Sequence, residues 1–423
     1  MVAGSAFRAS RALLGISAMG ILIGILRAAE GRELKFVNLI YRHGDRSPIN
    51  GYPTDPYTEK DWSQGYGQLT QVGMRQHYKL GQYLRRRYKD FLNSSYEREE
   101  IYVRSTDIDR TLMSAQSDLA GLYPPHGRQI FNPDLKWQPI PVHTVPVKDE
   151  KFLKFPIPNC PRYEKLLEES RNSKTVQDKV KESQALLDMV SEKTKLKVTF
   201  ENVWKLYDTI LCEKIHNFSL PAWVTPEVMA RLQELNELGI EALFSLRERR
   251  MKSRLQGGVL LKQILQNIAQ VVNGTNSTHK FIMYSAHDTT LIALQVALNI
   301  YNGIIPPYAS CHMFELYQED DGSFTLDMYF RNDSSSDVHL LTLPSCTEHC
   351  PLQNFIQDTQ DLISDNRDEE CKLSKDRNQR EAILIAAFCV CLLLVILLLI
   401  TLCCCWNRKT QHQRVPSDIE ELP

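Results

Sequence analysis

Three short segments of the sequence combine arginine, histidine and carboxylate side chains, and each follows an apolar run of strand length. In the first, "LKFVNLI" leads into "YRHGDRSPI", which carries Arg42, His43 and Arg46. Arginine suits phosphate because its planar guanidinium keeps its charge and donates two parallel hydrogen bonds. A carboxylate or a sulfate would be held by the same groups. The pattern therefore predicts an anion site that contains a histidine.

The other two segments supply the remaining groups. "EIYVRSTDIDRT" places Arg104 and Arg110 after one apolar run, and "FIMYSAHDTT" places His287 and Asp288 after another. Runs that are apolar on both faces indicate central strands of a sheet covered by helices. Ligands of open α/β sheets bind outside the carboxyl ends of such strands. We therefore expect the three segments to meet at one edge of one sheet.

These residue types suit hydrolysis of a phosphate monoester. Guanidiniums neutralise the ester and stabilise its equatorial oxygens in the transition state. A covalent step through His43 divides one difficult displacement into two easier ones. Neighbouring cations lower the pKa of that histidine, so it stays a free nucleophile in acid. Asp288 must carry a proton to act as the acid, which low pH favours. We therefore expect an acid optimum, no metal and no cofactor.

The elements around these segments predict an α/β fold. A helical pattern with Thr70 as its cap lies between the first two apolar runs, and strand, helix and strand in this order indicate a βαβ unit. "CHMFELYQ" and "SFTLDMYF", joined by "EDDG", predict a hairpin. A charged helical block at about residues 150–255 predicts a smaller, mainly helical subdomain. We expect a central, mostly parallel sheet with helices on both faces.

Two apolar stretches predict an exported, membrane-anchored chain. A basic start, the run "ALLGISAMGILIGIL" and small residues after it make residues 1–31 a signal peptide, with an uncleaved anchor helix as the alternative. Residues 382–402 carry no charge and are long enough to cross a bilayer as a helix. We therefore expect a catalytic domain at 32–352, a polar luminal stalk at 353–381 and a cytoplasmic tail at 403–423. Together these make a single-pass type I membrane protein.

Composition agrees with export and excludes one class of function. The net charge of −1 gives no reason to expect a nucleic-acid partner. Six cysteines in the exported part predict three disulfides, with fifteen possible connectivities. The other five lie in or beside the apolar stretch, and the "CCCW" cluster is either palmitoylated or apolar filler. Asn-X-Ser/Thr triplets that predict glycosylation occur at Asn93, Asn217 and Asn332, and also at Asn273 and Asn276.

The sequence resembles the histidine acid phosphatases, in particular the vertebrate lysosomal and prostatic group. The resemblance covers about residues 34–371 and is carried by "YRHGDRSPI", "STDIDRTLMSA", "WQPIPVHTVP", "RLQGGVLL", "YSAHDTT" and "PPYASCH". It implies that His43 is the nucleophile that forms a phosphohistidine and that Asp288 protonates the leaving group. It implies a phosphate-binding set of Arg42, Arg46, Arg110 and His287. Arg104 is outside that set, and we expect a structural role for it.

The same resemblance implies features outside the catalytic centre. They are a homodimer and three disulfides, Cys160–Cys371, Cys212–Cys311 and Cys346–Cys350. His143 would lie near the dimer contact. His77, His216 and His312 have no comparable setting in the sequence, so we expect packing or surface roles for them.

The sequence alone leaves two other functions and two cellular locations open. A phosphoglycerate-mutase-like phosphotransferase would share the Arg-His-Gly motif, and a non-enzymatic cell-surface receptor ectodomain would share the fold. The signal peptide and the complete catalytic set favour the exported phosphatase. We expect a lysosomal or endosomal membrane, with the plasma membrane as the alternative because the tail has no tyrosine. The catalytic motif recognises phosphate and does not define the leaving group.

Overall fold

A computed structural model describes residues 31–275, 279–332, 338–373 and 384–402. The predicted signal peptide up to residue 30, the acceptor Asn276 and the predicted tail from residue 403 lie outside these ranges. The strands are β1 Glu33–Arg42, β2 Ile101–Ser105, β3 Phe281–Ala286, β4 Cys311–Gln318, β5 Phe324–Arg331, β6 Val338–Leu341 and β7 Cys350–Pro351.

The helices fall into three groups along the chain. The first group is α1 Gln71–Arg87 and α2 Asp109–Leu122. The second is α3 Pro161–Arg171, α4 Lys174–Glu182, α5 Gln184–Thr194, α6 Val203–Ile215, α7 Pro226–Phe244, α8 Arg249–Leu255 and α9 Gly257–Val272. The third is α10 Asp288–Ala297, α11 Leu352–Thr359, α12 Arg367–Glu370 and α13 Leu384–Leu402.

One sheet organises the fold, with strand order β2-β3-β1-β4-β5-β6 and β7 beside β5. β2, β3 and β1 are parallel, whereas β4, β5, β6 and β7 pair antiparallel. The α/β class and the β4–β5 hairpin are confirmed. The sheet is mixed rather than mostly parallel, because only the strands joined through helical crossovers run in the same direction. The parallel part consists of the three strands expected to bear the site.

Helices cover both faces of this sheet, as expected. Side chains of β1 alternate between the faces, so Phe36 and Ile40 pack on the side of α9 and α10. Leu39 and Tyr41 pack on the opposite side, against α1 and α2. Burial on both faces explains why the strand reads as a continuous apolar run. β1 is thereby held rigidly, and its carboxyl end is a fixed platform.

A third group of buried apolar side chains lies among helices α4 to α7. Val176, Leu187, Leu206 and Leu232 belong to it, as does Tyr52 from the segment after β1. The charged block of the sequence is therefore helical and has apolar packing of its own. Tyr52 joins this helical packing to the chain that leaves the catalytic motif.

The chain forms two compact units. The larger comprises the described residues of 1–159 and 163–365, and the smaller comprises 160–162 and the described residues from 366 onward. The smaller unit contains the Cys160–Cys371 disulfide. The larger contains Cys346–Cys350. Helix α13, in the smaller unit, is long and apolar enough to cross a membrane.

The first part of the predicted stalk is folded, which corrects the boundary set at residue 353. Leu352, Phe355 and Thr359 are buried along one side of α11. Their spacing is helical, but polar residues fill the other positions and hide the apolar side in the composition. The larger unit therefore extends to Asp365.

The predicted Cys212–Cys311 disulfide is not formed in this structure. Both are buried free thiols among the described residues. Cys311 lies opposite Tyr41 in the sheet and packs toward α1 and α2. Cys212 is on α6 and contacts the phenol of Tyr308 at 3.9 Å. The two thiols thus have different neighbours in this structure.

Candidate active site

The three segments singled out in the sequence meet at the carboxyl edge of the parallel strands. β3 lies between β1 and β2, with Arg42 opposite Ala286 and Ser105 opposite Ser285. The first residue after β1, His43, donates its backbone N–H to Ala286 at 3.0 Å. Adjacent parallel strands thereby bring together side chains that are far apart in sequence. The three segments therefore lie at one edge of one sheet, as expected.

A close backbone contact shapes the turn after β1. A Cβ added to Gly44 would lie 2.5 Å from the carbonyl oxygen of Gly73, in the first turn of α1. Only glycine permits this approach. Thr70 caps α1 and donates to the carboxylate of Asp45. The start of α1 therefore fixes the catalytic turn.

His43 is held as a neutral imidazole with a defined tautomer. Its Nδ1 lies 2.8 Å from the carbonyl oxygen of Gly44, which can only accept, so Nδ1 carries the proton. The lone pair is then on Nε2. Burial lowers the pKa of His43 most, and the guanidiniums of Arg110 and Arg42 lower it further. The uncharged form of the ring is therefore favoured even in acid.

Three guanidiniums surround this ring, and protein acceptors bind terminal nitrogens of each. Arg42 donates to the carbonyl of Pro306 at 2.6 Å and pairs with Asp288 at 2.9 Å. Arg110 donates through one terminal nitrogen to the carbonyl of Gly67 at 3.3 Å. Arg46 is bound end-on by a carboxylate, that of Asp208, described below. Protein acceptors thus hold both terminal nitrogens of Arg42 and Arg46 and one of Arg110.

The Nε–H groups of these three arginines form no hydrogen bond with the described residues. In Arg42, Arg46 and Arg110 the Nε atom is buried and has no hydrogen-bond partner within the described part of the chain. Buried N–H groups at these positions can donate to the oxygens of a bound anion. Burial and neighbouring arginines also lower the pKa of Arg110 to about 10. Both features fit a site that an oxyanion completes.

His287 is the N-cap residue of α10, and its imidazole is neutral. Its Nε2 lies 3.0 Å from the hydroxyl of Thr106, which in turn contacts the hydroxyl of Thr111 at 2.7 Å. Burial, and then the charge of Arg110, lowers the pKa of His287 to about 3. Its ring centre is 5.6 Å from that of His43. It therefore acts as a hydrogen-bonding group rather than as a fourth cation.

Asp288 follows at the first position of α10, on the rim of the site. Burial raises the pKa of this carboxyl, but Arg42 and Arg46 outweigh that effect and hold the pKa below its usual value. The neighbouring guanidiniums therefore favour the ionised form of this carboxyl. A phosphate that neutralises the guanidiniums removes this bias and favours the protonated carboxyl.

The structure adds side chains that the sequence did not single out. Asp208 on α6 accepts from Arg46, and Tyr308 places its ring 4.2 Å from the guanidinium of Arg42. His216 binds the carboxylate of Asp45 at 2.8 Å, and His77 binds the carbonyl of Arg42 at 3.1 Å. We expected packing or surface roles for these histidines, but they support the catalytic turn. The sequence around these two histidines gives no local indication of these contacts.

Arg104 has the structural environment expected for it. Both oxygens of buried Glu150 accept from its guanidinium, at 3.0 and 2.9 Å, and the ring of Phe152 lies 4.8 Å from it. The backbone of His143, an exposed residue, pairs with that of Arg104 in an isolated parallel β-bridge. His312 is buried and stacks on Phe314 at 4.6 Å, which is the expected packing role.

A buried histidine surrounded by three arginines forms a site suited to binding an oxyanion. The family model for the histidine phosphatase superfamily (branch 2) matches residues 33–340, most of the chain. The chain belongs to this superfamily. By this membership and the similarity described next, it is an acid phosphatase of the phosphoric monoester hydrolase class.

Curated relatives are similar over nearly their whole length. The lysosomal acid phosphatase of Xenopus laevis is 54% identical over 365 residues, 86% of this chain and 84% of that protein. The human lysosomal acid phosphatase is 50% identical over 381 residues, 90% of each chain. The bovine prostatic acid phosphatase is 48% identical over 373 residues, 88% of this chain and 95% of that protein.

Solved structures support the fold. The phytase of Citrobacter braakii has a TM-score of 0.59 at 17% identity, covering 81% of this chain and all of that one. The phytase of Hafnia alvei in complex with tartrate also has a TM-score of 0.59, at 16% identity, covering 82% and 100%. At these identities the likeness concerns the architecture alone.

Proposed function

We propose that this acid phosphatase hydrolyses phosphate monoesters through a phosphohistidine formed on His43. The observation that carries the proposal is the cluster of three arginines around a neutral imidazole, each with a buried Nε–H that no described residue accepts. These donors suit the equatorial oxygens of a transferring phosphoryl group. Arg42, Arg46 and Arg110 bind that group, with His287 as a further hydrogen-bonding partner.

The first step forms the bond from Nε2 of His43 to phosphorus and breaks the bond from phosphorus to the ester oxygen. Asp288 gives its proton to that oxygen, and the alcohol leaves. In the second step the Asp288 carboxylate takes a proton from water, whose oxygen attacks phosphorus. The bond to Nε2 breaks, and inorganic phosphate leaves with the histidine neutral again.

The pH dependence follows from two groups with opposite requirements. His43 must be neutral, and its lowered pKa keeps it so well below the usual range of a histidine. Asp288 must be protonated, and its lowered pKa means that this form is lost as the pH rises. Activity is therefore highest in acid and falls toward neutral pH. Neither step requires a metal.

The test uses a secreted fragment of residues 32–373, which contains the whole larger unit. Phosphate release from an aryl phosphate is followed from acidic to neutral pH with a chelator present. We expect turnover that is highest in acid, unaffected by the chelator and abolished in His43→Ala. Turnover that survives in the variant, or that the chelator removes, would mean that the nucleophile or the chemistry is assigned wrongly.

For the domain organisation we propose a signal peptide at 1–31, a luminal catalytic domain from 32, an anchor helix at 382–402 and a cytoplasmic tail at 403–423. Similarity to lysosomal acid phosphatases supports a lysosomal or endosomal membrane, with the plasma membrane as the alternative. Exposed acceptors support luminal glycosylation at Asn93, Asn217, Asn273 and Asn332. A mobility shift on enzymatic deglycosylation, lost on Asn→Gln substitution, tests both topology and modification.

We further propose a homodimer. The segment after α2 exposes several large apolar side chains together, with Phe131 61% and Ile130 46% exposed. Leu135 and Trp137 are also exposed, and the rings of Phe131 and Trp137 lie 6.4 Å apart. Exposed apolar clusters of this kind mark protein interfaces. Sedimentation of the fragment should give a dimer that Phe131→Glu converts to a monomer, and a wild-type monomer would contradict the proposal.

A further inference from the structure

We infer that Asp208 is a positioning residue for catalysis, because its carboxylate decides which edge of the Arg46 guanidinium faces the phosphate. This inference rests on the proposed function, in which Arg46 binds the phosphoryl group. Asp208 belongs to α6, in the helical block rather than at the sheet edge. It touches none of the reacting atoms and acts through Arg46.

The contact is bidentate and mostly buried. Oδ1 of Asp208 accepts from Nη2 of Arg46 at 2.7 Å, and Oδ2 accepts from Nη1 at 3.0 Å. The side chains are 15% and 8% exposed. Nη1 also donates to the carbonyl of Ser47 at 3.1 Å. Paired hydrogen bonds of this geometry fix the guanidinium plane as well as its charge.

The end-on pairing has a consequence for the ligand. A guanidinium offers two paired-donor edges: the end formed by both terminal nitrogens, and the side formed by Nε and one of them. Asp208 occupies the end of Arg46, so the side edge is left for the phosphate. The Nε atom on that edge is buried and unpartnered among the described residues. Without Asp208 the plane can turn, and the end edge then competes for the oxyanion.

The same carboxylate also binds the backbone of the catalytic segment. Oδ2 accepts from the N–H of Ile49 at 3.1 Å, three residues beyond Arg46. One turn further along α6, the thiol of Cys212 lies 3.6 Å from Nη1 of Arg46. α6 therefore positions both the Arg46 side chain and the backbone of the segment that contains Arg46. Through these contacts the helical block contributes to catalysis.

The competing interpretation is that Asp208 is an anionic plug that phosphate must displace. The two differ in what Asp208→Asn does. An asparagine amide places a donor against Arg46, so the fork pairing is lost together with the negative charge. If Asp208 positions Arg46, turnover falls, because misplacement of a transition-state donor by about 1 Å costs about 10²-fold. If it is a plug, inorganic phosphate binds more tightly and turnover is kept.

The experiment compares the wild-type fragment with Asp208→Asn, Arg46→Ala and the double variant, using an aryl phosphate as substrate and inorganic phosphate as competitive inhibitor. We expect Asp208→Asn to lower kcat by about 10²-fold while the Ki for phosphate changes less than about tenfold. In the Arg46→Ala background the same substitution should change kcat by less than about threefold, because nothing is left to position.

Two further variants keep the result interpretable. Thr209→Val is the matched control, because the neighbouring hydroxyl binds the carbonyl of Asn50 at 2.6 Å but does not touch Arg46. It should keep kcat. Asp208→Glu retains the charge and shifts the carboxylate, so it should also lower kcat, and it decides the matter if the asparagine variant does not fold.

Unchanged kcat in a folded Asp208 variant, or phosphate bound at least about tenfold more tightly with kcat kept, would overturn the inference. An additional loss in the Arg46→Ala background as large as in the wild type would also overturn it. Arg46→Ala without effect would instead place the failure in the proposed function.

Discussion

Replacement of Asp288 by asparagine separates proton transfer from the other functions of this side chain. The carboxyl begins α10 and pairs with Arg42 at 2.9 Å, with its side chain 27% exposed. Asparagine has the same shape, and its oxygen still accepts from the guanidinium. It cannot hold and release a proton near physiological pH. The substitution therefore removes the acid and base while Arg42 keeps an acceptor.

The size of the effect depends on the leaving group. A positioned general acid contributes about 10²–10⁴-fold, and the benefit grows with the basicity of the oxygen that departs. An alkoxide leaving from glycerol 2-phosphate needs the proton, whereas 4-nitrophenolate leaves readily without one. We expect kcat/KM to fall by about 10³–10⁴-fold with the alkyl ester and by about tenfold or less with the aryl ester. The second step also loses its base, so a phosphoenzyme should accumulate.

The assay is a rapid-quench measurement with both esters. It quantifies the released alcohol and the acid-labile phosphate bound to the protein. A burst of 4-nitrophenol followed by slow turnover is the expected trace. Asp109→Asn is the matched control, because this exposed carboxylate also begins a helix, beside the site, and binds only Gln68 among the contacts observed. Equal losses with both esters, with no burst, would refute the assignment of Asp288 as the acid.

Three further predictions concern the surroundings of the site. Burial, and then Asp55, raises the pKa of Glu213 to about 8, so the folded protein holds a proton that the unfolded chain releases above about pH 4.5. Stability therefore falls as the pH rises through that window, and Glu213→Gln should raise Tm by a few degrees near neutral pH but not in acid; a uniform shift would contradict this. Thr106→Val removes the hydroxyl bound to His287 and should lower kcat about tenfold, whereas Thr106→Ser should keep it; equal kcat in the two variants would contradict this. Gly44→Ala places a Cβ 2.5 Å from a carbonyl of α1 and should abolish activity and lower Tm, and a fully active variant would exclude the close contact.

The sheet edge could be predicted because its signals are local. Each apolar run is buried on both faces, and each is followed at once by the residues that need a strand end. The register of β1, β3 and β2 then makes those residues neighbours. The direction of β4 and β5 was also readable from their short connection. How much of the sheet is antiparallel could not be predicted, because pairing of distant strands leaves no local pattern in the sequence.

What could not be predicted depends on contacts between distant segments. Asp208 lies on a helix whose pattern reports only its packing, and 162 residues separate it from Arg46. The Cys212–Cys311 pairing came from resemblance, and in this structure the sheet turns Cys311 away toward α1 and α2. The buried side of α11 was hidden by polar neighbours. In each case the missing information lies in contacts with segments that are distant in sequence.

The charge balance of the site explains why carboxylates occur where an anion must bind. Three guanidiniums around a buried imidazole repel one another, and burial first, then the charge of Arg46, lowers the pKa of Arg110 to about 10. Asp208 and Asp288 each pair with one of these arginines, but they differ in exposure and in their other contacts. Three donors, two from Arg46 and the backbone N–H of Ile49, hold the Asp208 carboxylate in place. Asp288 pairs with Arg42 at the rim, so a bound phosphate that competes for Arg42 releases it to take up a proton. Ligand binding itself therefore prepares the acid, and low pH favours the same state.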